Sequence, residues 1–211
     1  MIGKVILTIL LTFSSISATD RIEVTNFDEG FKNWKIREFR GKAKYSVRLT
    51  PKKMITLISN NNSFGLAKEL KLDLQKTPYL NFEWMVEKIP PNGDVRYKEL
   101  DDQAAQIYVI IPSFPESINY KAIGYVWDAK APSGIYQSKK FKNIKYVVLK
   151  TGNGEPNKWF SEKVNVYEDF KKLWNLNLSG EKKIVLSINI DSDDTKTSAK
   201  SSFGDIYFSS E

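Results

Sequence analysis

The sequence contains no cysteine and no histidine. Without cysteine there can be no disulfide, no thiolate nucleophile and no sulfur-ligated zinc centre. An N-terminal lipid anchor on cysteine is excluded by the same absence. Without histidine the commonest general base is missing, and with it a Ser-His-Asp triad. Any reaction would have to run on Asp, Glu, Lys or Tyr, or on a metal held by oxygens. Long apolar runs are also missing, since no stretch reaches the roughly 20 residues that span a bilayer.

What is present begins with an export pattern. Lys4 precedes the apolar run Val5 to Phe13, and Ser14-Ser15-Ile16-Ser17-Ala18 is small and polar enough to be cut. Residues 1–18 are therefore expected to be a signal peptide, which places the protein in the periplasm or outside the cell. An exported chain without disulfides must be held by its core or by bound ions. The 211 residues are 41% hydrophobic and 13% aromatic, enough for one core over residues 20–211. Formal charge is +7, and removing Lys4 leaves 31 basic against 25 acidic residues. Lysines recur in pairs, Lys52-Lys53, Lys139-Lys140, Lys171-Lys172 and Lys182-Lys183. Such pairs are ordinarily solvated surface. The sharper alternative is a polyanionic partner, an acidic glycan or an anionic envelope component, while the scarcity of arginine argues against nucleic acid.

Period-two alternation dominates the rest. The segments 44–50, 54–59, 79–89, 105–111, 122–127, 144–150, 158–166, 182–190 and 205–209 are rich in β-branched and aromatic residues and read as strands. Turn-formers such as "SNNNS", "PPNGD" and "TGNGEPN" separate them. "NVYEDFKKLW", near residues 165–175, sets Tyr167, Phe170 and Trp174 on one helical face. Many short strands with one short helix predict an all-β jelly-roll sandwich.

Several blocks occur in a characteristic order. They are "TNFDEGFKNWK", "LAKELKLDLQKTPYLNFEWMVEKIPPNGD", "DDQAAQIYV", "IGYVWDAK", "NIKYVVLKTG", "WFSEKVNVYEDFKKLW" and "INIDSDDTKTSAKSSFGDIYF". Together, over residues 26–208, they resemble the DUF3047 family of exported bacterial proteins. The resemblance implies a jelly-roll module of the galactose-binding and carbohydrate-binding type, and leaves activity open. Its polar blocks fall on Asp101, Asp102, Glu162, Asn165, Asp169, Asp191, Asp193, Thr195 and Asp205. Gln106 stands where an arginine would be expected.

Four constellations carry the candidate chemistry. Asp101 and Asp102 open a strand, where neighbours point to opposite faces, so a converging catalytic pair is the least favoured of three readings. The others are a polar network and a ligand or metal contact, with Asp102 the inward residue. In "NIDSDDT" the oxygens of Asp191, Asp193 and Thr195 alternate through a loop, a pattern that suits Ca2+ but equally an Asx-turn. Glu162 precedes Asn165, a helix N-cap with Glu168 three residues on. Glu162 is a further candidate for a polar site shared with Asp102 and Asp191. Trp127 with Asp128, and Trp159 after a Gly-rich loop, could stack on a sugar ring and accept from its hydroxyls, or could be core.

These features favour a non-catalytic binding module for a glycan or cell-envelope component, with a structural calcium as candidate cofactor. The alternatives are a structural or assembly protein of the envelope, and a glycan-active enzyme run by carboxylates alone.

Overall fold

The computed structural model describes residues 20–211, apart from residues 32, 117 and 154. The predicted signal peptide lies outside the described residues.

Thirteen strands and one α-helix are found among the described residues. The strands are β1 (Arg21–Glu23), β2 (Lys35–Arg40), β3 (Tyr45–Arg48), β4 (Met54–Asn60), β5 (Ser63–Leu72), β6 (Tyr79–Lys88) and β7 (Ala105–Pro112). They continue with β8 (Tyr120–Asp128), β9 (Gly134–Gln137), β10 (Ile144–Thr151), β11 (Phe160–Asn165), β12 (Lys182–Asp191) and β13 (Ser198–Ser209). Helix α1 spans Val166–Trp174. One sheet runs β11-β6-β13-β4-β3, with β1 also paired to β13, and the other runs β2-β5-β12-β7-β8-β10-β9. The two stack as a jelly-roll β-sandwich.

Alternation explains the stacking. In β6 Leu80, Phe82, Trp84 and Val86 point inward and are buried, while Asn81 and Glu83 point out. In β12 Ile184, Leu186, Ile188 and Ile190 do the same. Trp84 and Trp127 meet across the interior with ring centroids 5.9 Å apart. Burying such rings contributes several kcal/mol each, at about 25 cal/mol per Å². Helix α1 begins where expected: the Asn165 side chain accepts from Glu168 N at 3.0 Å. It ends on Asn175, whose positive φ of 52° closes the helix. Val166 and Phe170, four residues apart, enter the core. Asp169 accepts from the buried Tyr125 hydroxyl at 2.7 Å, which fixes the helix to the seven-stranded sheet.

The outer faces of the two sheets differ. Over β7, β8 and β10 a second apolar cluster joins Tyr108, Ala122, Val126, Tyr146 and Val148 to the loop residues Val95 and Ala131. Loops therefore cover that part of the seven-stranded sheet. Over β11, β6 and β13 the outward side chains include the polar Asn81, Glu83, Ser161, Lys163 and Asp205, with Met85 an apolar one among them.

Candidate functional site

The acidic residues gather where β7 begins and β12 ends. Asp102 is fully buried. Its Oδ1 accepts from Asp194 N at 3.1 Å, and its Oδ2 accepts from Thr195 N at 2.6 Å and from the Thr195 hydroxyl. Gly93 permits this, because a Cβ there would lie 2.0 Å from the Asp102 carbonyl oxygen. The loop is fixed from its other side by Ser192, which bonds Ser59 and donates its N–H to Asn62 O at 3.2 Å. Asp193 N donates to Asp191 Oδ1 at 3.4 Å, an Asx-turn.

Asp102, Asp191 and Asp193 bring carboxylate oxygens within 4.8 Å of one another. Burial pushes the Asp191 carboxyl well above the usual carboxylate range, and its neighbours Asp193 and Asp102 push the same way. Burial also acts upward on Asp193, but a hydrogen bond from Asp191 and the nearby Arg40 outweigh it, so Asp193 lies below its ordinary value. A proton on this pair therefore sits on Asp191 rather than on Asp193. Arg40 Nη1 lies 3.1 Å from Asp193 Oδ2, and Lys140 pairs with Asp194. An oxygen-only donor set of this kind suits a hard cation such as calcium, which would take the place of that proton.

Asp101 turns the opposite way, at a tight turn before β7 in which Asp102 N donates to Leu100 O at 2.8 Å. It accepts from Gln103 Nε2 and from the Tyr146 hydroxyl, both at 3.1 Å. Burial pushes its carboxyl up to about 6, against those two bonds. Gln106, the position at which the resemblance leads one to expect arginine, donates to Gln103 at 3.1 Å and not to a carboxylate.

The other candidates do not join this knot. Trp127 is 1% exposed, with its indole N–H on Gly152 O at 2.8 Å, so no ring face is left for a sugar. Asp128 is fully buried and accepts from the backbone N–H groups of Val95, Lys130 and Ala131. It ties loops together and faces no ligand. Glu162 lies on β11, in the other sheet. It accepts from Trp84 Nε1 at 3.3 Å and lies 3.4 Å from Lys150 Nζ, so the expected site shared with Asp102 and Asp191 does not form. Thr195 is in the knot, but as a donor to Asp102.

Glu162 lies instead beside a groove of about 330 Å³ on the open face of the six-stranded sheet. Strand register builds it: Lys163, Asn81 and Tyr207 form one row across β11, β6 and β13, and Ser161 and Glu83 form the next. Asp205 and Arg21 complete it, with the Arg21 guanidinium 3.5 Å from the Tyr207 ring centre. A bulge between Phe203 and Ile206 interrupts the pairing of β13 with β6. A Cβ on Gly204, inside that bulge, would come within 2.7 Å of Glu83. Half-buried Trp159 lies at this end, under Lys52, whose ammonium is 2.6 Å from Glu83. The groove residues other than Glu162 and Asp205 had no motif to mark them. Their signal was the outward half of the alternation in "YLNFEW".

The family model for a protein of unknown function, DUF3047, matches residues 32–207. No curated protein matches the chain. Among solved structures, the chain is similar to the endoglucanase Cel12A of Rhodothermus marinus. Identity is 9% and the TM-score 0.50, covering 90% of this chain and 96% of that one. It is also similar to the family 30 carbohydrate-binding module of a Clostridium thermocellum cellulase, at 10% identity and TM-score 0.41, covering 83% and 91%. A third similarity is to the enzymatically active domain of bacteriophage CBA120 tailspike protein 4, at 11% identity and TM-score 0.44. There 85% of this chain covers only 20% of that one. These likenesses concern the fold.

Proposed function

The chain belongs to the DUF3047 family, and on that premise we propose that it is an exported, non-catalytic β-sandwich module that binds a glycan through the groove over β11, β6 and β13. The observation that carries this reading is the groove's lining. An amide, three carboxylates, a lysine, an arginine and a serine line one open cleft, with the rings of Tyr207 and Trp159 at its edges. Sugars present paired hydroxyls and apolar C–H faces. Amides and carboxylates match the first and aromatic rings the second. The outer face of the other sheet is covered by loops over β7, β8 and β10, whereas the face over β11, β6 and β13 carries the groove.

The acids favour binding over catalysis. A general acid for glycoside cleavage needs a protonated carboxyl in an apolar pocket. Glu83 and Glu162 instead have lysines against them. Asp102 is fully buried and its oxygens are engaged by the loop it holds.

A structural calcium is a second element of the reading, favoured by the three convergent carboxylates Asp102, Asp191 and Asp193.

The test is a titration of neutral and acidic oligosaccharides followed by tryptophan fluorescence. Saturable quenching that disappears in Trp159→Phe supports the groove. No response from either protein across the panel, with no retention of the wild type on any polysaccharide, refutes the reading.

A further inference from the structure

The two lateral edges of the sandwich on the β2–β3 side are left open in an unusual way. β3 is the last strand of its sheet and β2 the last of the other, and residues 41–44 join them. Register shows which way their side chains point. Ile36 lies opposite Leu66, Tyr45 opposite Leu57 and Val47 opposite Ile55, and those three partners are core residues. Ile36, Tyr45 and Val47 therefore belong to the inward faces of their sheets, yet no further strand among the described residues covers them. With Phe39 and Leu49 they form an apolar line of residues between 39% and 63% exposed. Other exposed apolar residues lie singly, as Tyr97 and Ile135 do, or as the pair Phe114 and Ile118 in one short loop. Five along one edge, drawn from both sheets, is a patch that marks an interaction surface.

The charge around the line is one-sided. Residues 35–48 carry Lys35, Arg37, Arg40, Lys42, Lys44 and Arg48 against the single acid Glu38. Lys35, Arg40 and Lys42 pair with Glu69, Asp193 and Glu38. Arg37, Lys44 and Arg48 stay outside the ion pairs of the described residues, and all three are exposed. Arg37 lies opposite Gly65, on the outer side of one sheet. Arg48 lies opposite Met54 in the other, and Lys44 sits in the connection between them. The cations therefore flank the apolar line.

We propose that this edge docks on an anionic lipid surface, the apolar line entering the headgroup boundary and the flanking cations meeting lipid phosphates. An apolar strip rimmed by Lys and Arg is the pattern of interfacial binding. Two other occupants fit less well. A pairing strand is opposed by the basic side chains along both edges and by the register shift between Glu38 and Arg40 in β2, devices that blunt sheet edges. A second copy of the chain would set two basic edges against each other.

The absence of cysteine makes the test direct, since one introduced thiol labels one position. In the full chain, Val47→Cys and, separately, Ile135→Cys would carry an environment-sensitive nitrobenzoxadiazole dye. Ile135 lies on β9, at the far end of its sheet. Vesicles of phosphatidylcholine alone would be compared with vesicles holding about 30% phosphatidylglycerol, enough to attract basic segments. The expected result is a blue shift and brighter emission at position 47 on the anionic vesicles only, with position 135 unchanged. Replacing Arg37 and Lys44 by Gln should weaken partitioning about fivefold per cation, on the order of thirtyfold together. Binding that leaves the dye at 47 unchanged would assign attachment to another segment, residues 1–18 included, and overturn the proposal. Equal shifts on neutral vesicles, no vesicle binding, or a concentration-dependent shift without vesicles (a second copy on the edge) would overturn it as well.

Discussion

Thr195 lies 93 positions after Asp102, and its backbone N–H and its hydroxyl both donate to one oxygen of that buried carboxylate. Thr197 extends the chain by bonding the Thr195 hydroxyl at 2.8 Å. The end of β12 is thereby fastened to the entry of β7. A buried carboxylate is tolerated here because N–H donors solvate it in place of water.

Removing that carboxylate should be expensive. Asp102→Ala leaves the N–H groups of Asp194 and Thr195 without their acceptor in a part-buried site, and should cost about 3–5 kcal/mol. Urea denaturation measures it. Asp102→Asn, which keeps one acceptor oxygen, should cost less. A change within about 0.5 kcal/mol for the alanine variant, the usual range for surface positions, would show that the loop is held elsewhere.

The stabilisation that Asp101 supplies should fall as pH rises through weakly acidic values. Burial raises Asp101 from 3.8 to about 6, so the folded protein holds that proton more tightly than the unfolded chain does. The protonated form is favoured by folding. The contribution of Asp101 is therefore greatest below about pH 4, falls up to about pH 6, and is absent above that. The full change is about 3 kcal/mol. Asp191 is raised as well and acts with the same sign. Asp101→Asn stays neutral and should make the denaturation midpoint change less across this window than in the wild type, the remainder coming from the other shifted carboxyls, raised at Asp128, Asp169, Asp191 and Asp194 and lowered at Asp94 and Asp193. An unchanged slope would mean that Asp101 is more solvated than its contacts imply.

A close backbone approach can be tested by steric rescue. A Cβ on Gly65 would lie 2.1 Å from Asn189 Oδ1, the group bonded by Ser187 on the neighbouring strand. Gly65→Ala should destabilise by about 1–3 kcal/mol through overpacking. Asn189→Ala in the same chain should recover most of that loss, a coupling that a melting-temperature double-mutant cycle reads directly. Additive effects would contradict the contact.

Much of the sandwich was legible in the sequence, and the exceptions have physical causes. β6 could be read whole, because "YLNFEWMVEK" alternates cleanly and both faces keep their sense in the fold. The helix was legible from its cap and its spacing. β5 was not, since Leu66-Ala67-Lys68-Glu69-Leu70 is made of good helix formers, and pairing with β2 and β12 overrides their preference. The first half of β13 looked like loop because Ser198, Ser201 and Ser202 are small and polar, yet β4 and β6 flank it on both sides.

The site divides in the same way. The two aspartates do diverge, Asp101 to Tyr146 and Asp102 to the 192–195 loop, but a tight turn before β7 and not strand alternation separates them. Lys140 and Arg40, which balance part of the acidic charge, come from a distant loop and from the other end of the sheet, beyond any local pattern. Trp127 and Asp128 had the composition of a sugar contact at a strand end, but loop closure buries both. The groove rests on cross-strand register between β11, β6 and β13, which no single segment encodes.

Calcium and the Asp191 proton should compete for the same oxygens. Millimolar calcium is expected to raise the melting temperature and to displace whatever proton Asp191 holds, so the effect should shrink as pH falls. Asp191→Asn should abolish it. Calorimetry in two buffers of different ionisation enthalpy counts the proton. No heat and no thermal shift at millimolar calcium would rule out a cation in the knot.

The central claim is that the open groove recognises a glycan, and the most direct measurement is retardation in native gels cast with soluble polysaccharides. The wild type should be retarded by at least one of them. Tyr207→Ala and Asn81→Ala, which alter the groove and leave the core intact, should each lose at least about 1 kcal/mol of binding, roughly a fivefold weaker affinity. Retardation that both variants retain in full would contradict the groove as the binding site. Free migration of the wild type through every polysaccharide would contradict glycan binding itself.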